Sequence, residues 1–180
     1  MTEPLICTIG HSTRSLNEFI SLLKTNHVTH LLDVRAMPRS RRNPQFGIDN
    51  LPASLEMAGI HYTHLPGLGG LRHSRPDSLN GGWRNTAFRG YADYMQTPEF
   101  ASNVEQVVLL AANDRCALMC AEAVPWRCHR SLLADALVLR GVRVEDIIGA
   151  TGRKRHLLTS WAQVDGLRIT YPAPILNQKS

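Results

Sequence analysis

The sequence predicts an α/β fold, specifically a Rossmann-like three-layer domain with a mostly parallel central sheet and helices on both faces. Short apolar runs, of which Cys116–Cys120 is the most pronounced, have the length and composition of strands buried on both faces. Stretches with apolar residues at helical spacing separate these runs, so strand and helix alternate along the chain. The 180 residues are enough for one domain with a single hydrophobic core.

The first half of the chain contains three predicted strands and two predicted helices. The run Leu5–Ile9 is apolar and ends at Gly10, and the following Ser15 and Glu18 have the spacing of a helix capping box. A basic segment with two prolines, residues 37–46, is predicted to be a loop. The elements predicted here are strands over residues 5–9, 30–35 and 60–64 and helices over residues 15–23 and 50–58.

The second half begins with an irregular insert over residues 65–89, which is rich in Gly, Pro, Arg and Asn. Long irregular inserts in compact domains are usually functional, so we expect a binding loop. Beyond it the sequence predicts helices over residues 98–112 and 125–140, strands over residues 116–120 and 142–148, and an edge strand over residues 167–171. Residues 177–180 are expected to form a frayed tail.

The composition indicates a globular protein of the cytoplasm. Hydrophobic residues make up 43% and charged residues 19% of the chain, and no apolar run approaches the roughly 18–20 residues of a membrane span. The N-terminus lacks the features of a signal peptide, and four cysteines are too few for a disulfide scaffold. The formal net charge of +5 favours an anionic partner, either a small molecule or a nucleic acid, and no membrane partner is expected.

The loop after the first predicted strand is a candidate anion-binding site. Gly10, His11, Ser12 and Arg14 lie directly before a helix, whose free N–H groups attract anions. The glycine spacing and the lysine of a phosphate-binding P-loop are missing. The alternative is a capped helix start with a packed histidine.

The loop after the second predicted strand is a further candidate for anion binding. Its candidate residues are Asp33, Arg35, Ser40 and Arg41, and Arg39 and Arg42 belong to the same arginine cluster. Arginine forks match the oxygen geometry of phosphate and carboxylate. Asp33 is close enough in sequence to orient Arg35 by pairing with it. The alternative is a solvated cluster of surface charges.

The segment from Cys120 to Arg130 carries the residues best suited to catalysis. Cys120 ends a buried strand, and Pro125 suits the first turn of the next helix, which is expected to include Cys128 and His129. Arginines and a helix N-terminus lower the pKa of a nearby thiol. The candidate catalytic residues are Cys120, Glu122, Cys128 and His129, and the candidates for binding the substrate anion are Arg127 and Arg130.

Other interpretations of this segment remain open. In one, the cysteines are inert packed thiols and His129 is a core histidine. In another, Cys120 and Cys128 form a regulatory disulfide. A closed zinc site requires four ligands and this spacing fits no common zinc pattern, so no metal site is assigned. The sequence identifies no cofactor.

Five ordered motifs occur together along the chain. They are Thr8–Ser12; Asp33–Arg35 with Pro38, Ser40, Arg41 and Phe46; Leu68–Gly70; Cys120–Glu122 with Cys128–Arg130; and His156–Thr159. In this combination the chain resembles the domain-of-unknown-function family numbered 488, from Leu5 to about Trp161. The resemblance implies a Rossmann-like α/β domain and leaves the activity open, because the family has no assigned biochemical role.

The sequence favours an enzyme that acts on a phosphorylated, nucleotide-like or nucleic-acid substrate at the carboxyl edge of the sheet. One alternative is a non-catalytic module for nucleic acid or nucleotides, in which the arginines and aromatic rings of residues 72–91 form a stacking platform. Another is a thiol redox sensor based on Cys120 and Cys128. A pure binding module has no need of the cluster of cysteine, glutamate and histidine, so the enzyme is preferred.

Overall fold

A computed structural model describes residues 2–175 and contains a six-stranded central sheet. The sheet order is β3-β2-β4-β1-β5-β6, and its first five strands are parallel while β6 pairs antiparallel with β5. The strands are β1 (Leu5–Gly10), β2 (His30–Asp33), β3 (His61–His64), β4 (Cys116–Cys120), β5 (Arg143–Ile147) and β6 (Arg153–Arg155). The predicted, mostly parallel sheet is therefore confirmed.

Helices cover both faces of this sheet and complete the predicted three layers. Alternate residues of β1 belong to opposite cores: Cys7 and Ile9 pack with the helices of one face, and Ile6 packs with those of the other. The first face carries α1 (Leu16–Thr25) and α2 (Leu51–Met57). The second carries α3 (Thr86–Tyr94), α4 (Pro98–Ala111) and α5 (Arg130–Leu139). Burial of apolar side chains on both faces explains why the strands read as continuous apolar runs.

The strand order creates a crevice between the carboxyl ends of β1 and β4. The chain leaves β1 towards β2 on one side and leaves β4 towards β5 on the other, which makes this a topological switch point. Gly10 allows the two strand ends to approach, because a side chain there would collide with the carbonyl of Glu122. Beyond it, the His11 N–H donates to the carbonyl of Cys120 at 2.9 Å. Candidate side chains from both loops therefore meet at one edge.

The start of α1 confirms the predicted cap. The Ser15 hydroxyl accepts a hydrogen bond from the N–H of Glu18 at 3.1 Å, which satisfies one of the free donors of the first turn.

The predicted irregular insert over residues 65–89 is partly wrong. It contains a single 3₁₀ turn at Pro66–Leu68, and α3 begins inside it at Thr86. The segment is ordered by the buried carboxylate of Asp93, which accepts hydrogen bonds from the Arg75 N–H, the Ser78 hydroxyl and the Asn80 amide at 2.7, 2.6 and 2.7 Å. This part of the chain is therefore held by its own polar contacts.

The aromatic rings of this segment do not form the stacking platform of the binding hypothesis. Phe88 and Tyr91 lie in the core, and Trp83 packs against Trp161 and Tyr171 with ring centroids 4.7 and 5.5 Å apart. The apolar side of α3 packs into the hydrophobic core, and the rings of Phe88 and Tyr91 lie on that side.

The predicted helix over residues 125–140 is also wrong at its start. Pro125–Arg127 forms a separate 3₁₀ turn, Cys128 is extended, and α5 begins at Arg130 with His129 at its N-cap position. The break places the Cys128 and His129 side chains beside the strand ends.

In the carboxyl-terminal part of the chain, the strands pair differently from the prediction. The predicted edge strand is β8 (Arg168–Thr170), which pairs with β7 (Gln163–Asp165) in a separate two-stranded sheet. The antiparallel edge of the main sheet is β6, which was not predicted. The predicted tail, residues 177–180, lies outside the described residues. Within residues 2–175 no helix has the length and apolarity needed to cross a membrane.

Candidate active site

A cavity of about 1270 Å³ opens at the carboxyl edge of the sheet. Its walls come from the loops after β1, β2 and β4, from residues 70–74 and from the first residues of α3. The sulfurs of Cys120 and Cys128 and the imidazole of His129 belong to its lining. Parallel strands collect their following loops at one edge, and the cavity therefore lies at the edge of the sheet where the sequence predicts a site.

Two thiols lie in contact at this cavity. The Sγ atoms of Cys120 and Cys128 are 2.8 Å apart, and the residues are only 3% and 6% exposed. Cys120 is the last residue of β4, and the 3₁₀ turn that follows brings Cys128 back over it. At this distance the two sulfurs share a hydrogen bond, with one thiol donating to the other.

A buried guanidinium lies beneath the thiols. Arg130 is 1% exposed, and its Nε–H donates to Cys120 Sγ at 2.9 Å. Its other two nitrogens donate to Thr8 Oγ1 at 2.9 Å and to the Glu122 carbonyl at 2.7 Å. Among residues 2–175 no carboxylate forms a salt bridge with it. A buried cation requires a nearby negative charge, and the thiol pair is the group in direct contact that can provide one.

His129 is oriented as a proton acceptor for Cys128. Its Nε2 lies 3.1 Å from the carbonyl of Val34 and so carries the proton that this contact requires. In the neutral ring Nδ1 is then unprotonated, and this atom lies 3.5 Å from Cys128 Sγ. The pair has the arrangement of a thiol with its base.

The thiol pair as a unit loses its first proton easily and its second with difficulty. The hydrogen bond from Cys120, the neighbouring His129 and the charge of Arg130 lower the pKa of Cys128. Burial and the shared hydrogen bond with the ionised partner raise the pKa of Cys120. The two values belong to one coupled titration, and the contacts favour a single thiolate shared between the sulfurs.

The loop after β2 forms a polar group that is largely satisfied internally. Arg35 pairs with Asp33 through two hydrogen bonds of 2.9 and 2.8 Å, as the sequence predicts, and Tyr62 also donates to Asp33. The remaining nitrogen of Arg35 lies 3.4 Å from Nε2 of His11. Burial and this guanidinium lower the pKa of His11, so it is neutral and stacks on Phe46.

Four further arginines give the cavity its positive charge. Arg39, Arg42, Arg72 and Arg127 all line it, and none of them forms a salt bridge with a carboxylate among residues 2–175. Arg72 lies over the ring of Tyr94 at 3.6 Å and donates to the carbonyls of the preceding turn. Glu122 is the carboxylate among the lining residues. The cavity therefore has a strong excess of positive charge.

Most of the residues selected from sequence line this cavity. Those that do are His11, Ser12, Arg35, Ser40, Cys120, Glu122, Arg127, Cys128 and His129. Gly10, Asp33 and Arg130 lie directly behind it and support lining residues. Arg14 and Arg41 do not belong to the lining, and Arg14 instead pairs with Glu18 at 3.0 Å and donates to the carbonyl of Ile148.

The other arginines of the lining are single members of larger groups that the sequence singles out. Arg39 and Arg42 belong to the arginine cluster of the loop after the second predicted strand, and their identity as lining residues depends on how the loop folds. Arg72 belongs to the arginines and aromatic rings of the binding-module hypothesis, and it directly follows the Leu68–Gly70 motif. Thr8 begins the Thr8–Ser12 motif, but Asp146 has no such signal, because its contact with Thr8 depends on the pairing of β1 with β5.

No grouping of three or more His, Cys, Asp or Glu side chains suited to a metal ion occurs within residues 2–175. Comparisons of the chain with curated proteins and with solved structures gave no match. A comparison with family models gave one that covers residues 15–137, more than half of the chain. That model is described as domain of unknown function DUF488, and the chain belongs to this family.

Proposed function

We propose that this protein is an enzyme in which a cysteine thiolate attacks a phosphorylated, nucleotide-like or nucleic-acid substrate. The observation that carries the proposal is the buried guanidinium of Arg130, whose Nε lies 2.9 Å from Cys120 Sγ with no carboxylate in salt-bridge contact among residues 2–175. This arrangement favours a thiolate at neutral pH, and thiolates are the nucleophilic form of cysteine.

Cys128 is the proposed nucleophile. Its sulfur lies against Nδ1 of His129 at 3.5 Å and near the N–H of Arg130, also at 3.5 Å. Cys120 is then the supporting thiol that stabilises the negative charge through the shared hydrogen bond. Both cysteines line the cavity in which the substrate would be held.

On a phosphate ester the proposed reaction has two steps. The Cys128 sulfur forms a bond to phosphorus while the ester P–O bond breaks, and the leaving oxygen takes the proton that His129 Nδ1 received from the thiol. Water then adds to phosphorus, the S–P bond breaks, and the thiolate is restored. Glu122, also at the cavity, is the proposed base for this water.

The arginines support the choice of an anionic substrate. Arg39 and Arg42 on one loop and Arg72 and Arg127 on others offer guanidinium groups that no carboxylate neutralises within the described residues 2–175. Guanidinium groups bind phosphate oxygens through paired, charge-assisted hydrogen bonds. The exposed side chain of Leu71 also lines the cavity, which suits a substrate with an apolar part.

Thermal-shift measurements with inorganic phosphate, nucleotides and short oligonucleotides test the substrate class. A ligand of the native state at about 100 times its Kd stabilises it by about 2.7 kcal/mol. Arg42→Gln should weaken binding by a factor of about 10 to 100, because one charged hydrogen bond contributes about 1.5–3 kcal/mol. Arg41→Gln is the matched control, since it removes the same charge from the adjacent residue, outside the lining. Equal effects of both variants would contradict a site in this cavity.

Turnover of any compound that binds tests the nucleophile. Cys128→Ser should abolish turnover while binding is retained, because a hydroxyl is not ionised at neutral pH. Cys116→Ser is the control, since Cys116 is buried elsewhere and burial raises its pKa to about 12. Binding with no turnover by the wild type, whatever the compound, would support a binding module instead.

A second candidate function is a thiol redox sensor. The Sγ–Sγ distance of 2.8 Å favours it, because two thiols in contact can be joined with little movement of the chain. The two candidates differ in their requirement for a substrate, since a sensor responds to oxidants alone.

A further inference from the structure

We propose that Thr8 is a positioning residue that holds Arg130 against the thiols and prevents its direct pairing with Asp146. This inference rests on the thiolate of the proposed function and extends it to residues outside the cavity lining. Thr8 is fully buried in the middle of β1, and neither it nor Asp146 borders the cavity. Thr8 and Asp146 therefore act on the thiols through Arg130.

The hydrogen bonds of Thr8 have a fixed direction. Its single hydroxyl proton goes to Oδ1 of Asp146 at 2.5 Å, because a carboxylate only accepts. The hydroxyl oxygen is therefore the acceptor for the Nη1–H of Arg130 at 2.9 Å. Guanidinium, hydroxyl and carboxylate form one chain in which the hydroxyl separates two opposite charges.

The sheet fixes the geometry of this chain. Thr8 and Asp146 are direct neighbours in the parallel pairing of β1 with β5, and Thr8 is paired with Leu118 of β4 on its other side. Two residues further, β4 ends at Cys120, which points to the same face. The hydroxyl and the sulfur are thus presented side by side to Arg130, the first residue of α5.

The separation of Arg130 from Asp146 matters because the two side chains would otherwise pair directly. A guanidinium and a carboxylate, both buried, attract each other strongly and form bidentate pairs when the geometry permits. A direct pair with Asp146 would neutralise Arg130 and draw its Nε away from Cys120. With Thr8 between them, the Nε–H remains directed at the sulfur and the positive charge acts on the thiol pair.

The other groups that face the thiols do not take over this role. Besides Arg130, these groups are His129 and Tyr91 of α3. The ring of Tyr91 packs against that of His129 with centroids 5.0 Å apart. Burial raises the pKa of Tyr91, so it is neutral. From the sheet side the charge that faces them is Asp146, acting through Thr8.

The test is the pH titration of thiolate ultraviolet absorbance in the wild type, Thr8→Val, Thr8→Ser and Asp146→Asn, with circular dichroism as a check on folding. Burial raises the pKa values of Cys7 and Cys116, so absorbance at neutral and acidic pH reports on Cys120 and Cys128. Thr8→Val keeps the shape of the side chain and removes the hydroxyl. It should move the midpoint to higher pH, with a roughly tenfold lower ratio of thiolate to thiol at a given pH.

The two other variants separate positioning from general disturbance. Thr8→Ser keeps the hydroxyl and should titrate like the wild type. Asp146→Asn keeps an acceptor for Thr8 but removes the competing negative charge, so its midpoint should be lower than that of the wild type. If both Thr8→Val and Asp146→Asn merely loosened the structure, their titration midpoints would not move in opposite directions.

The titration results support or overturn the role of Thr8 as follows. A folded Thr8→Val variant that titrates like the wild type, or an Asp146→Asn variant with an equal or higher midpoint, would overturn the role of Thr8. If Thr8→Val does not fold, the direction of the Asp146→Asn shift decides alone. A wild-type midpoint at the ordinary cysteine value would instead overturn the thiolate of the proposed function, which distinguishes its failure from that of Thr8.

Discussion

Arg130 shows at the scale of one residue how a buried charge organises a site. Its guanidinium is 1% exposed and uses all of its nitrogens as donors to Cys120, Thr8 and Glu122. The energetic cost of burying such a group unpaired is several kcal/mol. The neighbouring sulfurs reduce that cost when one of them is ionised, so the cation and the thiolate stabilise each other.

The same residue marks a limit of sequence reasoning. Arg130 was selected as a candidate for binding the substrate anion, and the structure places it under the thiols, outside the lining of the cavity. Residue type and spacing identify an arginine near two cysteines. They do not indicate whether its side chain points outward to a ligand or inward to a sulfur, because this depends on where α5 begins.

The contact between Cys120 and Cys128 leads to a prediction on oxidation. A small excess of hydrogen peroxide should convert one thiolate to a sulfenic acid, which condenses with the second thiol, releases water and leaves a disulfide. Intact mass spectrometry should show the loss of two hydrogen atoms, reversed by dithiothreitol. Peptide mapping should assign the bond to these two residues, whose sulfurs are 2.8 Å apart.

Two cysteine variants control this experiment. Cys120→Ser should lose the reversible product and accumulate sulfinic acid at Cys128, because no second thiol is available to capture the sulfenic acid. Cys116→Ser should behave like the wild type, since Cys116 lies at the opposite end of β4. Over-oxidation of the wild type without any disulfide would contradict the redox interpretation of the pair.

At the scale of elements, strands were predicted more accurately than helix boundaries. The strands β1, β2 and β4 are buried and rich in apolar residues over a short span, and this signal is local. The sequence does not predict α3 because this segment contains Gly90 and Asp93, which disfavour helices. Gly90 is needed there because a side chain would collide with the backbone of Arg72, and such a contact is not readable from sequence.

The interruption of the predicted helix before α5 also depends on contacts between residues that are distant in the sequence. No glycine or second proline separates Arg127 from Arg130, so the pattern predicts one continuous helix. The extended conformation of Cys128 is compatible with hydrogen bonds from Arg130 to Cys120 and Glu122, which come from β4 and the loop after it. Tertiary contacts of the site therefore decide the local structure at this position.

The close approach of β1 to the loop after β4 predicts the effect of a glycine substitution. Gly10→Ala places a methyl group against the carbonyl of Glu122 and the Cα of Ala123, so the loop must move. We expect a loss of about 1–3 kcal/mol in the free energy of unfolding, as in other overpacked positions. Denaturant unfolding measures it, and a higher thiol pKa should accompany it because Cys120 begins this loop.

Gly149→Ala provides the matched control for Gly10→Ala. A side chain at Gly149 would meet no atom within 4 Å, and its backbone is not in the left-handed region. The free energy of unfolding should therefore change little, or rise by a few tenths of a kcal/mol through the unfolded state. Similar losses in both variants would mean that the approach of the two loops is not what requires glycine at position 10.

At the scale of the whole molecule, the location of the site follows from topology. Alternating strands and helices predict a parallel sheet, and a parallel sheet predicts a site at its carboxyl edge. The order β3-β2-β4-β1-β5-β6 is the part that sequence does not supply, and it brings β1 and β4 together as neighbours. The meeting of Thr8, Cys120 and Asp146 follows from this order, and for that reason it could not be predicted.

At the same scale, a buried carboxylate of α5 fastens part of the C-terminal region to this helix. Asp135 is fully buried and accepts hydrogen bonds from the His156 ring at 2.7 Å, from the Thr159 N–H and hydroxyl at 3.1 and 2.7 Å, and from the Tyr171 hydroxyl at 2.7 Å. His156 and Thr159 belong to one of the motifs noted in the sequence, and this contact gives that motif a structural explanation.

Asp135→Asn should therefore destabilise the protein strongly and loosen its C-terminal region. The amide group replaces an acceptor by a donor that faces other donors, and removal of one partner from a buried charged network costs about 3–5 kcal/mol. Denaturant unfolding measures the total loss, and hydrogen exchange of residues 156–171 shows whether it is concentrated there. Asp77→Asn is the control, because Asp77 pairs with Arg75 at an exposed position and contributes at most about 1 kcal/mol. Equal losses in the two variants, or exchange that increases evenly over the chain, would show that Asp135 does not fasten this region, and the His156–Thr159 motif would then need another explanation.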